Sequence, residues 1–188
     1  DGSYLEGGGQ IIRTALALSM YTQRPFKVDN IRQGRPKPGL KAQHLSCIKA
    51  LLKLTNDKAK AIGAELGSTS LEFYPAKITK SKIEIDIGTS GSITLLLQSL
   101  LLPLIFHGKA TKLKIIGGTD TKWSPLFDYF REIIISSLSG FAKFEINLLK
   151  RGFYPKGGGI VEIRIKPHKL DVFPELSLIE QGDLLHIS

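Results

Sequence analysis

Three stretches of the chain have counterparts further along it, and this repetition constrains the fold more than any other feature of the sequence. "EGGGQIIRTALALS" lies over "GTSGSITLLLQSLL", "GRPKPGLKAQHL" over "GTDTKWSPLFDY", and "GSTSLEFYPAKI" over "GGGIVEIRIKPH", in the same order and roughly 80 to 90 residues apart. Glycine turns and apolar periodicity predict, in the first copy, a helix over 10–20, a strand over 26–31, a helix over 40–54 and a hairpin through "AIGAELGSTSLEFYPAKI". The second copy predicts the strand "KIEIDIG", a helix over 92–105, the strand "KLKIIGG", a helix over 125–138, and the strand pair "FAKFEINLLK" and "GGGIVEIRIKP". Ser124 is placed to cap the helix over 125–138, with Pro125 at its first position. The repeated unit is thus strand-helix-strand-helix-strand-strand, over 1–80 with its first strand missing and over 81–168; 169–188 begins a further connection. Alternating helices and strands predict an α/β chain of α+β layering, with helices packed on one face of each sheet.

Lys and Arg number 26 against 17 Asp and Glu, a net charge of +9 that favours an acidic partner such as nucleic acid or a nucleotide. Nearly all of that excess lies in residues 24–60, where ten cations face only Asp29 and Asp57. A lysine-rich solvated surface would also account for it. The single cysteine, Cys47, rules out an internal disulfide, a Cys-type zinc site and a CxxC redox motif, and points to an intracellular, cytoplasmic chain. The longest apolar run, 93–106, is broken by Thr94, Gln98, Ser99 and Pro103 and falls short of the roughly 18 to 20 residues a membrane span needs, so no membrane partner is expected. No signal peptide opens the chain, and with Asp1 first and "GDLLHIS" last both ends look cut. Nothing in the pattern specifies an oligomeric state.

In "EGGGQIIR" three glycines precede a helix, where free N–H groups and the helix dipole favour an anion. Arg13 stands in the first turn, where a cation opposes the dipole unless an anion offsets it. The glycines alone fit a tight turn equally well, and neither a P-loop nor a GxGxxG is present. Glu6 beside them is suited either to Mg²⁺ at a phosphate or to a solvated turn. "NIRQGRPKPGLKAQH" sets Arg32, Arg35, Lys37 and Lys41 around prolines that stiffen the loop, with Gln43 and His44 following. Gln98 interrupts an apolar run, so its amide should meet backbone groups or a ligand. Trp123 is read either as packing or as a base-stacking residue. The triplet in "RGFYPKGGG" leads into a strand and reads as hairpin geometry. No Ser-His-Asp triad or metal cluster is evident, and His44, His107, His168 and His186 read as surface or cap residues.

Read together, "EGGGQIIRTALALS", "IRQGRPKPGLKAQH", "GAELGSTSLEF", "DIGTSGSITLLLQ", "GGTDTKWSP" and "RGFYPKGGG" closely resemble the RNA 3'-terminal phosphate cyclase family, in its order and in the manner of an archaeal member. The resemblance implies tandem βαβαββ units like the C-terminal domain of translation initiation factor three. It also implies an enzyme that uses ATP and a divalent metal, Mg²⁺ or Mn²⁺, to convert RNA 3'-phosphate ends to 2',3'-cyclic phosphodiesters through an adenylylated histidine and an RNA-adenylate. By motif, it makes Glu6 the metal-proximal acid. Arg13, Arg32 and Arg35 would surround phosphates of ATP or of the RNA end, with Gln10, on the ATP side, and Gln43 and His44 close by; Lys37 and Lys41 of the basic loop are the further residues expected to bind phosphate or RNA. Gln98 would contact the nucleotide and Pro125 would pack on adenine. None of the four histidines matches the family's adenylylated one. The chain is therefore expected to be the first half of a cyclase, ending near a small inserted domain and inactive alone. A non-catalytic, RNA-binding ribosome assembly factor of the same superfamily is the alternative.

Overall fold

A computed structural model describes residues 1–169 and Pro174. The expected connection over 169–188 and His186 therefore lie almost wholly or wholly outside the described residues. Helix α1 (Gln10–Thr22) leads to β1 (Phe26–Val28), α2 (Ala42–Leu54), β2 (Lys60–Ile62) and β3 (Leu71–Tyr74). Then come β4 (Lys82–Asp86), α3 (Ile93–Phe106), β5 (Thr111–Gly117), α4 (Phe127–Tyr129), β6 (Ala142–Lys150) and β7 (Gly159–Pro167). The α/β layering expected from the alternation holds. One sheet has the order β1-β3-β2 and is antiparallel; the other has the order β4-β5-β7-β6, with β4 and β5 parallel and the remaining pairs antiparallel. The connection α1-β1-α2-β2-β3 and the connection α3-β5-α4-β6-β7 thus place their strands in the same spatial order.

Period-two patterning makes the second sheet one-faced. Leu113 and Ile115 of β5 and Val161, Ile163 and Ile165 of β7 are buried, while Lys112 and Lys114 point away and pair with Glu162 and Glu84 at 3.1 and 3.4 Å. Helix α3 is apolar nearly all round and packs against α1, α2, β5 and β7, as such a helix must. It joins both halves into one core: Ile12 and Leu16 of α1, Cys47, Ile48 and Leu51 of α2 and Leu96, Leu100 and Leu104 of α3 are all buried in a continuous cluster. No helix among the described residues is long and apolar enough to cross a membrane.

The helix expected over 125–138 departs from prediction. Ser124 does not cap it: the Ser124 hydroxyl closes a turn by donating to the Thr121 carbonyl (2.8 Å), and α4 starts at Phe127 after Leu126. Residues Phe130–Ile135 then widen into a π-helical segment. Phe130 and Ile135 are its buried residues, five apart, a spacing that an α-helix turns to different faces and an i→i+5 turn brings together. The strand expected over 26–31 also ends early, at Val28, before left-handed backbone at Asn30 and Arg32.

Candidate functional site

A cleft of about 1450 Å³ opens where five loops converge. They are the "EGGGQ" turn before α1, the loop into α2, the "SGS" turn before α3, the loop before α4 and the β6–β7 connection. Segments paired by the internal repeat, "EGGGQ" and "GTSGS", therefore meet around one hollow, which the repeat alone did not indicate. Glu6, Gln10, Arg13, Arg32, Arg35, Lys41, Gln43 and His44 all reach its lining. Lys37 is exposed, and Lys37, Gln98 and Pro125 are not part of the lining.

Arg13 is the buried centre of charge. It is only 8% exposed, and its guanidinium donates from Nε to Gln98 Oε1 (3.1 Å) and from Nη2 to Gln10 Oε1 (2.8 Å). Both acceptors are neutral amides, and among the described residues no carboxylate pairs with it. Burial lowers its pKa. Gln98, the amide out of place in an apolar helix, is thus explained first by Arg13. Pro125 serves through its carbonyl, which accepts from the Thr94 hydroxyl (2.9 Å).

The basic stretch over 24–60 divides. Lys27 pairs with Glu72 (3.6 Å), and Lys53 Nζ donates to the Glu84 carbonyl (2.6 Å), away from the cleft. Arg35 faces the cleft and pairs with Glu6 at 3.3 Å, largely in solvent. Arg32 donates to the carbonyls of Lys37 (2.9 Å) and Gly39 (3.3 Å), and so also braces the proline loop. Lys41 Nζ donates to the Pro38 carbonyl (3.0 Å). Burial and the neighbouring Arg35 lower the Arg32 pKa; burial with Arg32 and Lys37 lowers that of Lys41. These cations repel one another, and an anion among them would relieve the repulsion.

Of the two readings given to His44, surface or cap residue, the first does not hold: it is 5% exposed. It does act as a cap: its Nδ1 accepts from the Lys41 N–H (3.0 Å) at the start of α2, the part usually played by a glutamate in a capping box. Burial first, then Arg13, Arg32 and Lys41, push its pKa down to about 4. The ring is therefore neutral, and with Nδ1 accepting, the proton sits on Nε2. Gln43 Nε2 meanwhile donates to the Ser92 carbonyl (3.0 Å), fixing α2 against the turn before α3.

Sequence reasoning missed the cleft residues Ser90, Asp120, Lys122, Phe153 and Tyr154. The second glycine triplet also gains a place. Gly157 and Gly158 have φ of 70° and 71°, and a Cβ on Gly157 would lie 2.5 Å from the Thr89 carbonyl oxygen, so the β6–β7 connection packs closely on the turn before α3.

A family model described as RNA 3'-terminal phosphate cyclase matches residues 4–176. The chain belongs to the RNA 3'-terminal phosphate cyclase family. Among curated cyclases of that name, the protein of Pyrococcus furiosus is 52% identical over 168 residues, covering 89% of this chain and 48% of its own length. That of Archaeoglobus fulgidus is 46% identical over 185 residues, 97% of this chain and 56% of its own. That of Methanococcoides burtonii is 45% identical over 189 residues, covering 100% of this chain and 56% of its own. The chain spans about half the length of the curated relatives it matches. The matched region contains every cleft residue of the cyclase family chain from Glu6 to Tyr154.

Proposed function

We propose that this chain carries the phosphate-handling cleft of an ATP-dependent RNA 3'-phosphate cyclase, an enzyme of the ligase class that forms a 2',3'-cyclic phosphodiester through enzyme-AMP and RNA-adenylate intermediates. The observation that carries this is Arg13. A guanidinium this buried, in the first turn of a helix and held by two neutral amides, is uncompensated until an anion enters. Arg35 and Lys41 supply further phosphate contacts at the cleft surface. Arg32 holds the proline loop that presents them, and Gln98 and Gln10 orient the Arg13 fork.

The chemistry asks for such a site. A 3'-phosphate is a poor electrophile because hydroxide or oxide is a poor leaving group. A 3'-phosphate oxygen takes AMP as the enzyme–AMP bond breaks, creating a phosphoanhydride; the RNA 2'-hydroxyl then attacks the 3'-phosphorus, losing its proton, and AMP departs with the bonding pair. Charge gathers on non-bridging oxygens throughout, where fixed cations stabilise it. Among the described residues no group of three or more His, Cys, Asp and Glu could hold a metal by itself. Mg²⁺ usually takes one or two carboxylates plus substrate phosphates, so Glu6 in the cleft lining fits as its protein ligand; when bound, the ion would offset phosphate charge.

His44 does not suit the role of AMP-accepting nucleophile, because its Nδ1 lone pair is engaged by the Lys41 N–H, which leaves the proton of the neutral ring on Nε2. His107 is tied to Thr111 (2.9 Å) at the end of α3, and neither it nor His168 lines the cleft. The test is incubation of the complete gene product with α-labelled ATP, magnesium and 3'-phosphate-ended RNA. Protein-bound AMP followed by a cyclic phosphate end is expected. RNA binding with neither product would contradict the enzyme and leave the non-catalytic binder.

A further inference from the structure

Trp123 is the chain's single tryptophan, and it is 94% exposed. Packing therefore does not explain it. Its φ is 64°, a left-handed conformation uncommon for so bulky a residue, so the loop holds the ring out in water at a cost in backbone strain as well as hydration. Two more rings, Phe153 and Tyr154, are also more than half exposed and line the same cleft from the β6–β7 connection.

The two loops that carry these rings are fastened together. The Thr119 N–H donates to the Gly152 carbonyl (2.8 Å), and Arg151 bridges Asp120 (3.1 Å) and Asp128 (2.6 Å). The Phe153 carbonyl accepts from the Gly157 N–H (2.7 Å), which sets the turn bearing Tyr154. The rings are thus presented from a braced surface, which limits the entropy lost when a ligand settles on them. Lys122, next to Trp123, faces the same cleft as Arg13.

We infer that Trp123, Phe153 and Tyr154 form a stacking platform for the unpaired bases at the 3' end of an RNA strand whose terminal phosphate is held by the cleft's cations. The identity of the strand rests on the cyclase reading above; the platform itself rests on the rings. Exposed aromatics beside a cationic groove are the composition by which single strands are held, bases on rings and backbone on charges. A pocket for the adenine of ATP would be concave and would bury most of the base, whereas a ring left 94% open offers a face on an open path. Three rings from two loops suit successive bases of a strand better than one. Because every base has a π face, the platform gives little base preference and favours single strands over duplex.

Trp123 is its own reporter. The full chain is titrated with a short oligoribonucleotide ended in 3'-phosphate, with the same strand made abasic, and with ATP, following tryptophan emission and the anisotropy of end-labelled strands. The base-bearing strand should quench emission and the abasic strand should bind without quenching. Trp123→Ala should weaken the base-bearing strand by about 5- to 150-fold, the loss expected for one stacked base, leave the abasic strand unchanged, and be largely rescued by Trp123→Tyr. Strand binding without any change in emission overturns the platform alone. So does a full quench by ATP to which RNA adds nothing, or an equal loss of both strands in Trp123→Ala. If neither strand binds, the platform falls together with the cyclase reading.

Discussion

Replacing Gly9 with alanine probes how closely the first glycine turn is fitted to the buried histidine. Gly9 caps α1 with φ −66° and ψ −10°, which any residue can adopt, so the cost is steric. An added Cβ would collide with His44 Nε2 and lie 3.1 Å from Arg13 Nη1. His44 cannot retreat without giving up the Lys41 N–H (3.0 Å) or pressing into the core beneath it. Overpacking of this kind costs about 1 to 3 kcal/mol, and the reduced freedom of the unfolded chain returns about 0.4 to 1, so the midpoints leave a net loss of about 1.3 kcal/mol. Gly8 is the control. Its Cβ would meet Glu6 Oε1 at 2.9 Å, the far end of an exposed side chain that can swing aside, so Gly8→Ala should stay within about 0.5 kcal/mol of the parent. Urea unfolding of the three proteins at neutral pH reads the difference directly. A Gly9→Ala protein as stable as the parent, or a Gly8→Ala protein equally impaired, would refute the fitted turn.

Three other outcomes follow from the same geometry. His44 has a folded pKa of about 4 against an unfolded value near 6.5, so between these the unfolded chain binds the extra proton. Stability present above pH 6.5 should fall by about 3 kcal/mol as the pH drops to 4, and His44→Gln should remove that part of the pH dependence in urea titrations. Gln98→Ala takes an acceptor from the Arg13 guanidinium, a bond to a charged group that contributes about 1.5 to 3 kcal/mol, and should weaken calorimetric binding of pyrophosphate; unchanged affinity would remove Gln98 from the site. Arg35→Gln or Lys41→Gln should each reduce the slope of log affinity against log salt for single-stranded RNA by about 0.7, while Lys53→Gln should leave it unaltered.

Much of this arrangement is legible in the sequence, and the parts that are not have physical reasons. Helices α1 and α2 follow from the periodic spacing of their buried apolar residues, and α3 from an apolar run too long for a strand. The segment after Pro125 misleads because its buried residues, Phe130 and Ile135, stand five apart and share a face only through a π-helical turn, which a 3.6-residue period does not announce. Charge marks the stretch containing Arg32, Arg35 and Lys41, but charge has no direction, and only the fold shows Lys27 and Lys53 engaged elsewhere. Arg13 and Gln98, each out of place in its own helix, are separated by 85 residues and explained by one hydrogen bond between them. Trp123 could be read either way until its exposure removed the packing alternative. Phe153 and Tyr154 belong to the motif "RGFYPKGGG", but nothing in it aims them at the cleft, since that placement comes from where the β6–β7 connection crosses it.

The central claim is that Arg13 and its neighbouring cations hold the terminal phosphate of an RNA strand. Paired titrations of the parent and Arg13→Gln with one oligoribonucleotide, ended either in a 3'-phosphate or in a 3'-hydroxyl, test it most directly. A charged hydrogen bond of about 1.5 kcal/mol or more predicts that the parent binds the phosphorylated strand at least about tenfold tighter, and that Arg13→Gln loses most of this preference while keeping its affinity for the hydroxyl-ended strand. Equal affinity of the parent for the two strands would contradict the account.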